Sequence, residues 1–348
     1  MQIGVDSFVA TSLDPAGAGR GGDPTRVREL LEQIELAEQV GLDVFGIGEH
    51  HRPDFLASAP AVLLAAAAAR TKRIRLASAV TVLSSDDPVR VFQQFATLDL
   101  ISQGRAEIIV GRGSFIESYP LFGFDLDNYD ELFSEKLELL LKLRTNIRVH
   151  WTGRHRAPLT GQGIYPRPVQ DPLPVRIGVG GTPQSFVRAG MLGLPLVVAI
   201  IGGQPRQFRE MIDLYRDSGR RAGQAAEKLE VGIHSIGFIA DTDEQAAETF
   251  WPAYRDAFGR IGKERGWPPV TRPQFDAGRS PLGALLVGSP ERIAEKIVAE
   301  HAALGGFSRM TILLDNRALT HRQIMRAIEL LGTRVSPAVN REIGAVKD

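Results

Sequence analysis

The chain has no cysteine, no excess of charge of either sign and no long apolar run, and aromatic residues make up only 7% of it. Each shortage excludes something. Without cysteine there are no disulfides, no thiolate metal ligands and no cysteine nucleophile, and the chain suits a reducing compartment. The 41 basic and 41 acidic residues cancel, so no global field draws the chain to nucleic acid or to an anionic membrane. The longest apolar stretch, AVLLAAAAA at 61–69, is about half of what a bilayer span needs and reads as a buried alanine-rich helix. The opening MQIGVDSF has no basic region followed by an apolar segment. No signal peptide is expected, and a cytoplasmic location is the corresponding expectation.

What is present is an alternation. Short β-rich apolar runs fall at 2–8, 43–48, 74–82, 105–110, 175–179, 196–201, 232–239 and 308–314. Helical patterns lie between them. Asp23-Pro24, Asp87-Pro88 and Ser289-Pro290 each open a helix. The first residue of each pair can cap free N–H groups, and the proline stands where its missing N–H costs nothing. Thr242 with Gln245 resembles a capping box, and Gly305 follows a helix as a stop. Eight apolar strands separated by helices predict a parallel α/β sheet, either closed or open. With 348 residues, the expectation is a (β/α)8 TIM barrel, which needs about 250 residues and tolerates insertions. The insertions are expected after strands four and seven, at 111–174 and 262–284. The barrel domain is drawn at 1–335, with a C-terminal tail at 336–348.

Three strand ends carry chemistry. Glu49-His50-His51 follows the second strand, where a barrel opens its active-site mouth. His50 reads either as an acid/base group beside a cofactor or as a strand cap bonded to backbone. Adjacent histidines on an extended segment point apart, and no HExxH or carboxylate cluster accompanies them, which argues against a metal site. Arg112 stands between Gly111 and Gly113 in VGRGS, after the fourth strand. A guanidinium flanked by glycines suits phosphate or carboxylate, although a plain turn also explains it. Gly178-Val179-Gly180-Gly181-Thr182-Pro183 leads from the fifth strand into a helix, with Thr182 as the expected N-cap and Ser185 one turn in. Free N–H groups there make an anion site, and a tight turn is the structural alternative. The GxGxxG spacing fails, so a nucleotide monophosphate fits better than a dinucleotide. Gly202 and Gly203 end the sixth strand as a possible open floor. Ser78 and Ala79 are small residues in the third, either a seat for a flat ring or ordinary size alternation.

The stretch IRLASAVTVLSSDDPVRVFQQFATLDLISQGRAEIIVGRGS, residues 74–114, resembles bacterial luciferase-like flavin monooxygenases. ATLDLISQGR followed by VGRG is its most specific part, and GEHH at 48–51 is similar to the family's histidine pair. The resemblance implies that Ala79 precedes a non-proline cis peptide beneath a flavin ring. It also implies that Arg112, Gly113, Gly180, Gly181, Thr182 and Ser185 hold the flavin phosphate, and that Glu49 and His50 face the ring. The family often has an acidic residue and a serine in the phosphate turn. Gly181 and Thr182 stand there instead, so backbone N–H groups carry more of the binding. The family's reactive cysteine is absent, so a non-luminescent member is expected.

The activity that follows is two-component monooxygenation: a separate flavin reductase supplies reduced FMN by diffusion, and O2 is used to oxygenate a small organic substrate. Chemistry that must exclude water calls for a lid, placed at 262–284 with Trp267 and Phe275. Two alternatives stand beside this. One is a hydride-transferring enzyme of the deazaflavin cofactor F420; such enzymes usually have an aspartate where Glu49 stands. The other is a flavin-binding barrel without turnover. A homodimer is expected, with the helices at 59–70 and 88–102 as its face.

Overall fold

The structure, a computed structural model, describes residues 1–12, 22–113 and 115–345. Eight parallel strands form a closed barrel: β1 (Gln2–Ser7), β2 (Val44–Ile47), β3 (Arg75–Ser78), β4 (Ala106–Gly111), β5 (Val175–Val179), β6 (Leu196–Ile200), β7 (Val231–Ile239) and β8 (Arg309–Leu313). They pair in chain order. The ring closes where β7 meets β6 on one side and β8 on the other, and β8 meets β1. The expected barrel is therefore present, with every strand near its expected place. The third departs most: the run 74–82 splits into β3 and a short piece, Thr81–Val82, that pairs with the end of β4.

The helices start where capping chemistry allows. They are α1 (Pro24–Gln39), α2 (Pro60–Arg70), α3 (Pro88–Ser102), α4 (Tyr129–Thr145), α5 (Pro183–Leu192), α6 (Arg209–Arg221), α7 (Asp243–Arg265), α8 (Pro290–Ala303), α9 (His321–Leu330) and α10 (Ser336–Ala345). Asp23, Asp87, Thr242 and Ser289 each accept from an N–H of their helix's first turn. The alanine-rich α2 buries Leu64, Ala67 and Ala68, as the alanine run predicts. No helix among the described residues is long and apolar enough to cross a membrane.

Alternation along each strand sorts the core into two layers. Ile3, Val5, Phe45, Ile47, Leu76, Ile108, Val110, Ile177, Val198, Met310 and Ile312 belong to the large shell between strands and helices. Val44, Ala77, Ile109 and Val197 form a separate plug, with Val80 against it. Below the plug the interior turns ionic. Glu107 pairs with Arg309 through both oxygens, Arg176 Nε lies 3.2 Å from Glu107 Oε2, and Arg309 Nε donates to Gln2 at 2.9 Å.

Two long connections build the rim. Residues 112–174 contain α4 and an antiparallel hairpin of Arg148–Trp151 with Leu159–Gly163. After β7 come α7, a short helix at Arg272–Gly278, and a strand at Leu286–Gly288 that pairs with the end of β7. The lid expected at 262–284 is largely built into this scaffold. Phe275 is fully buried, packed on Trp251 and Tyr254 at 5.3 Å each. Composition marks such a Gly/Pro/Arg-rich segment as a loop, but a capping box at Thr271 and the Phe275 anchor fold it. Trp267 stays half exposed. The tail expected at 336–348 is helix α10 as far as Ala345, with Val339 and Ile343 buried, and its last three residues lie outside the described ones.

Candidate active site

The mouth is built around the link between β3 and the Thr81–Val82 piece. The Ala79–Val80 peptide is cis, at the position the sequence resemblance implies. Val80 projects inward over the plug, and its neighbours are glycines for a steric reason. A Cβ on Gly111 or Gly178 would come within 2.7 or 2.8 Å of a Val80 methyl, and one on Gly46 within 2.8 Å of Ala79 Cβ. Real Cβ atoms do not come that close to a carbon, so the glycines are the clearance that lets this link cross the barrel mouth.

His50 sits above this floor in an aromatic cage. Its ring lies 4.3 Å from Phe8, 4.5 Å from Phe55 and 5.4 Å from Phe115, centre to centre. Its side chain has no hydrogen bond to another described residue. Burial, then the neighbouring His51 and Arg52, lower it to about 3, so it is neutral at physiological pH. A neutral imidazole in an apolar cage can donate or accept a hydrogen bond but is a poor reservoir for a proton.

Glu49 is engaged differently from the expectation that it faces a ring. Oε2 accepts from Val82 N at 2.9 Å and Oε1 lies 3.0 Å from His51 Nε2. It ties the end of β2 to the Ala79–Val82 link, and both oxygens are used. Ser78 also turns away from the mouth. Its hydroxyl donates to the Ile109 carbonyl and accepts from the Ile109 N–H, both at 3.1 Å, and the residue is fully buried.

The expected anion end is the start of α5. Thr182 occupies the N-cap position with extended backbone, but its side chain caps nothing. The first N–H groups of the helix therefore remain unmet by that side chain, and Gly180 and Gly181 face open space. Ser185 Oγ accepts from Arg112 Nη2 at 3.3 Å. Arg112 also pairs with the exposed Asp130 and lies 4.8 Å from the Tyr129 ring. Gly113 takes a φ of +78°, open to glycine at little cost, which turns the chain after Arg112. Ser114, the last residue of VGRGS, lies outside the described residues. Arg188, one turn beyond Ser185, adds a second guanidinium whose buried Nη1 has no hydrogen-bond partner. Burial and then the like charge of Arg112 lower it. Gly202 and Gly203 lie exposed at the end of β6, where Gly203 O accepts from Ala284 N at 3.1 Å.

A cleft of about 440 Å³ opens beside His50, lined by His51, Arg52, Phe55, Leu121 and Phe122 among others. Its roof is clamped. Arg52 pairs with Glu117 at 2.9 Å and with Glu264 at the end of α7, and it lies 4.4 Å from the Phe115 ring. No group of three or more metal-ligating side chains occurs among the described residues.

A strand-end histidine, a glycine-cleared floor and an uncapped helix start after the fifth strand stand at the barrel mouth. The chain matches the luciferase-like monooxygenase family over residues 6–306. It belongs to that family. It is 27% identical to 4-hydroxyprotoasukamycin monooxygenase of Streptomyces nodosus subsp. asukaensis, over 96% of this chain and 92% of that one. It is 32% identical to N-acetyl-S-alkylcysteine monooxygenase of Bacillus subtilis, over 67% of this chain and 68% of the relative. The monooxygenase RslO1 of Streptomyces bottropensis shares the fold with a TM-score of 0.84 and 23% identity, covering 97% and 99% of the two chains. Further relatives and solved structures include F420-dependent dehydrogenases and a monooxygenase in complex with FMN. The chain is thus an oxidoreductase of a family whose members use flavin or F420.

Three parts of this luciferase-like site were not singled out in the sequence. Arg188 had a usable signal, the i+3 spacing from Ser185 on a helix. Of the glycines that clear space for Ala79 and Val80, Gly46 was not named and Gly111 and Gly178 were read only as turn residues, because the reason for all three is a clash across strands. Phe8, Phe55 and Phe115 come from three separate segments and carry no common pattern.

Proposed function

We propose that the chain is an FMN-dependent monooxygenase of the two-component type, which takes reduced FMN from a separate reductase and oxygenates a small organic substrate with O2. The observation that carries this is the anion seat. Arg112 bonds Ser185 Oγ, Arg188 Nη1 one turn on has no hydrogen-bond partner, and the start of α5 has no side-chain cap beside the open space at Gly180 and Gly181. A phosphate monoester with up to two negative charges matches two guanidiniums and a helix N-terminus. Asp130 beside Arg112 would repel a further anionic group placed next to the phosphate, which is the argument for FMN over F420.

The residues fit the group. Arg112, Arg188, Ser185 and the α5 N–H groups would hold the phosphate, and the Ala79–Val80 link would support the ring. The chemistry supplied by such a cofactor is two-electron activation of O2, one oxygen atom going to the substrate and the other to water. The chain's share is binding, orientation and exclusion of water. Phe8, Phe55 and Phe115 keep water from His50, whose neutral ring offers a hydrogen bond to the reacting partners. Glu49 positions the Ala79–Val82 link rather than reacting. Ser78 holds β3 to β4.

Absorbance and fluorescence titration with FMN and with F420 tests the reading. FMN binding more tightly than F420 is the expected result. F420 binding more tightly would overturn it in favour of hydride transfer.

A further inference from the structure

Three polar side chains from adjacent strands meet inside the barrel, just under Phe8. His234 lies on β7, Thr311 is its partner in register on β8, and Asp6 is on β1. His234 Nδ1 is 2.6 Å from Asp6 Oδ2, and Thr311 Oγ1 donates to the same oxygen. An ionised carboxylate only accepts, so with Asp6 as acceptor the proton of this bond sits on Nδ1, and Nε2 is the ring nitrogen left for another partner. The arrangement has been given room: a Cβ on Gly46 would overlap the Asp6 carboxylate.

The other edge of the ring is open. Nε2 has no hydrogen bond among the described residues, yet it is not among the enclosed polar atoms left without a partner. The His234 side chain keeps 11% of its surface exposed. The Val44, Ala77, Ile109 and Val197 plug and the Glu107–Arg309 pair close the barrel from below, so that exposure faces the mouth. Phe8 lies nearly parallel to the His234 ring at 6.3 Å and edge-on to His50 at 4.3 Å. Two imidazoles therefore flank one phenyl ring. The groups facing His234 are Asp6 from β1, Thr311 from β8, the apolar Ala199 from β6 and, beyond Phe8, His50.

We infer that His234 is a second functional imidazole of the site, exchanging a proton through Nε2 with the molecule bound over the floor, and that Asp6 is its positioning residue. This rests on reading the barrel mouth as the cofactor and substrate site. The proton moves between Nε2 and the bound molecule, while Asp6 remains a carboxylate and Thr311 keeps it in place. A carboxylate behind an imidazole fixes its tautomer and stabilises the imidazolium when it forms. His50 has apolar walls instead, so the two histidines divide the work: hydrogen bonding at His50, proton exchange at His234.

The test is carbethoxylation of the full chain with diethyl pyrocarbonate, read residue by residue by mass spectrometry. Labelling of His234 in the folded wild type is expected, and its absence overturns the proposal. Asp6→Asn should change the labelling rate at least threefold, because the ring loses the carboxylate that holds Nδ1 in place; an unchanged rate overturns the positioning role. FMN, its binding followed by its own absorbance, should slow labelling at least fivefold. Binding without protection removes His234 from the site. Failure of FMN to bind defeats the cofactor reading, while the labelling and its Asp6 dependence still decide the dyad. With reduced FMN, His234→Gln should lower oxygen consumption at least tenfold and flatten its pH profile, with FMN affinity within threefold of wild type. An unchanged rate and profile would overturn the proton-exchange role.

Discussion

The two ends of the barrel handle buried polar groups in opposite ways. At the bottom, Glu107 is paired with Arg309 and Arg176, and Arg176 also pairs with Glu230. Burial pushes that carboxyl up, but the charges of Arg309 and Arg176 outweigh it and hold it at about 2. At the mouth, His50, Arg188 Nη1 and the α5 N-terminus are left without side-chain partners. In barrels of this kind the lower face serves stability and the upper face serves chemistry. The contrast gives that rule a local cause: opposite charges are paired below, even where Arg176 Nε and Nη1 keep no hydrogen-bond partner, whereas His50 above sits among apolar rings.

The largest expected effect is at the bottom. Glu107→Gln leaves the buried Arg309 without its carboxylate partner, while Arg176 keeps Glu230, and should cost about 3–5 kcal/mol of stability, read by denaturant unfolding. A loss well under about 1 kcal/mol would erase the contrast. At the mouth, His50→Ala should leave FMN binding nearly intact and lower turnover on the order of a hundredfold, and normal turnover would make His50 structural. Arg112→Ala should weaken FMN by about 1.5–3 kcal/mol, the scale of a charge-assisted hydrogen bond, with riboflavin hardly affected. Equal weakening of both ligands would remove the phosphate role. Asp130→Asn should give the smallest change, a tightening of FMN by less than about 1 kcal/mol, as exposed pairs are worth little.

Acid should affect both ends. The Glu107 carboxyl is held below its ordinary 4.5, so its stabilisation is present above that value and is lost as pH falls towards about 2. His50 is held neutral down to about 3 against an ordinary 6.5. Below 6.5 the unfolded chain takes up a proton that the folded chain refuses, so stability falls as pH drops. Thermal melts of His50→Phe should therefore show a shallower decline between pH 6.5 and 4 than wild type. Parallel curves would mean that His50 is not buried neutral.

The barrel was legible because it depends on periodicity and capping. Runs such as IRLASAV and pairs such as Asp87-Pro88 declare strands and helix starts locally. The Gly180-Gly181 turn into α5 was legible for a similar reason, and the structure brings Arg112 and Ser185 together beside it. Glu49 and Ser78 were named for the right neighbourhood, but the direction of each side chain is decided by partners at Val82 and Ile109, which the local pattern does not reveal. Asp6 and His234 are 228 positions apart, and each passes for ordinary alternation until closure of the ring brings β1, β8 and β7 together. The 262–284 segment shows the reverse error. Its composition suggests a movable flap, yet Phe275 is packed into an aromatic cluster. Deleting 268–280 would therefore remove core as well as cover, and point changes at Trp267 are the cleaner probe.

The plug beneath Val80 has a kinetic consequence. A barrel stopped from below has one doorway, and every molecule that reacts inside it must use that doorway in turn. What seats deepest has to arrive first and depart last. Initial-rate patterns should accordingly show a compulsory order, with the organic substrate unable to take its place productively until the floor is covered.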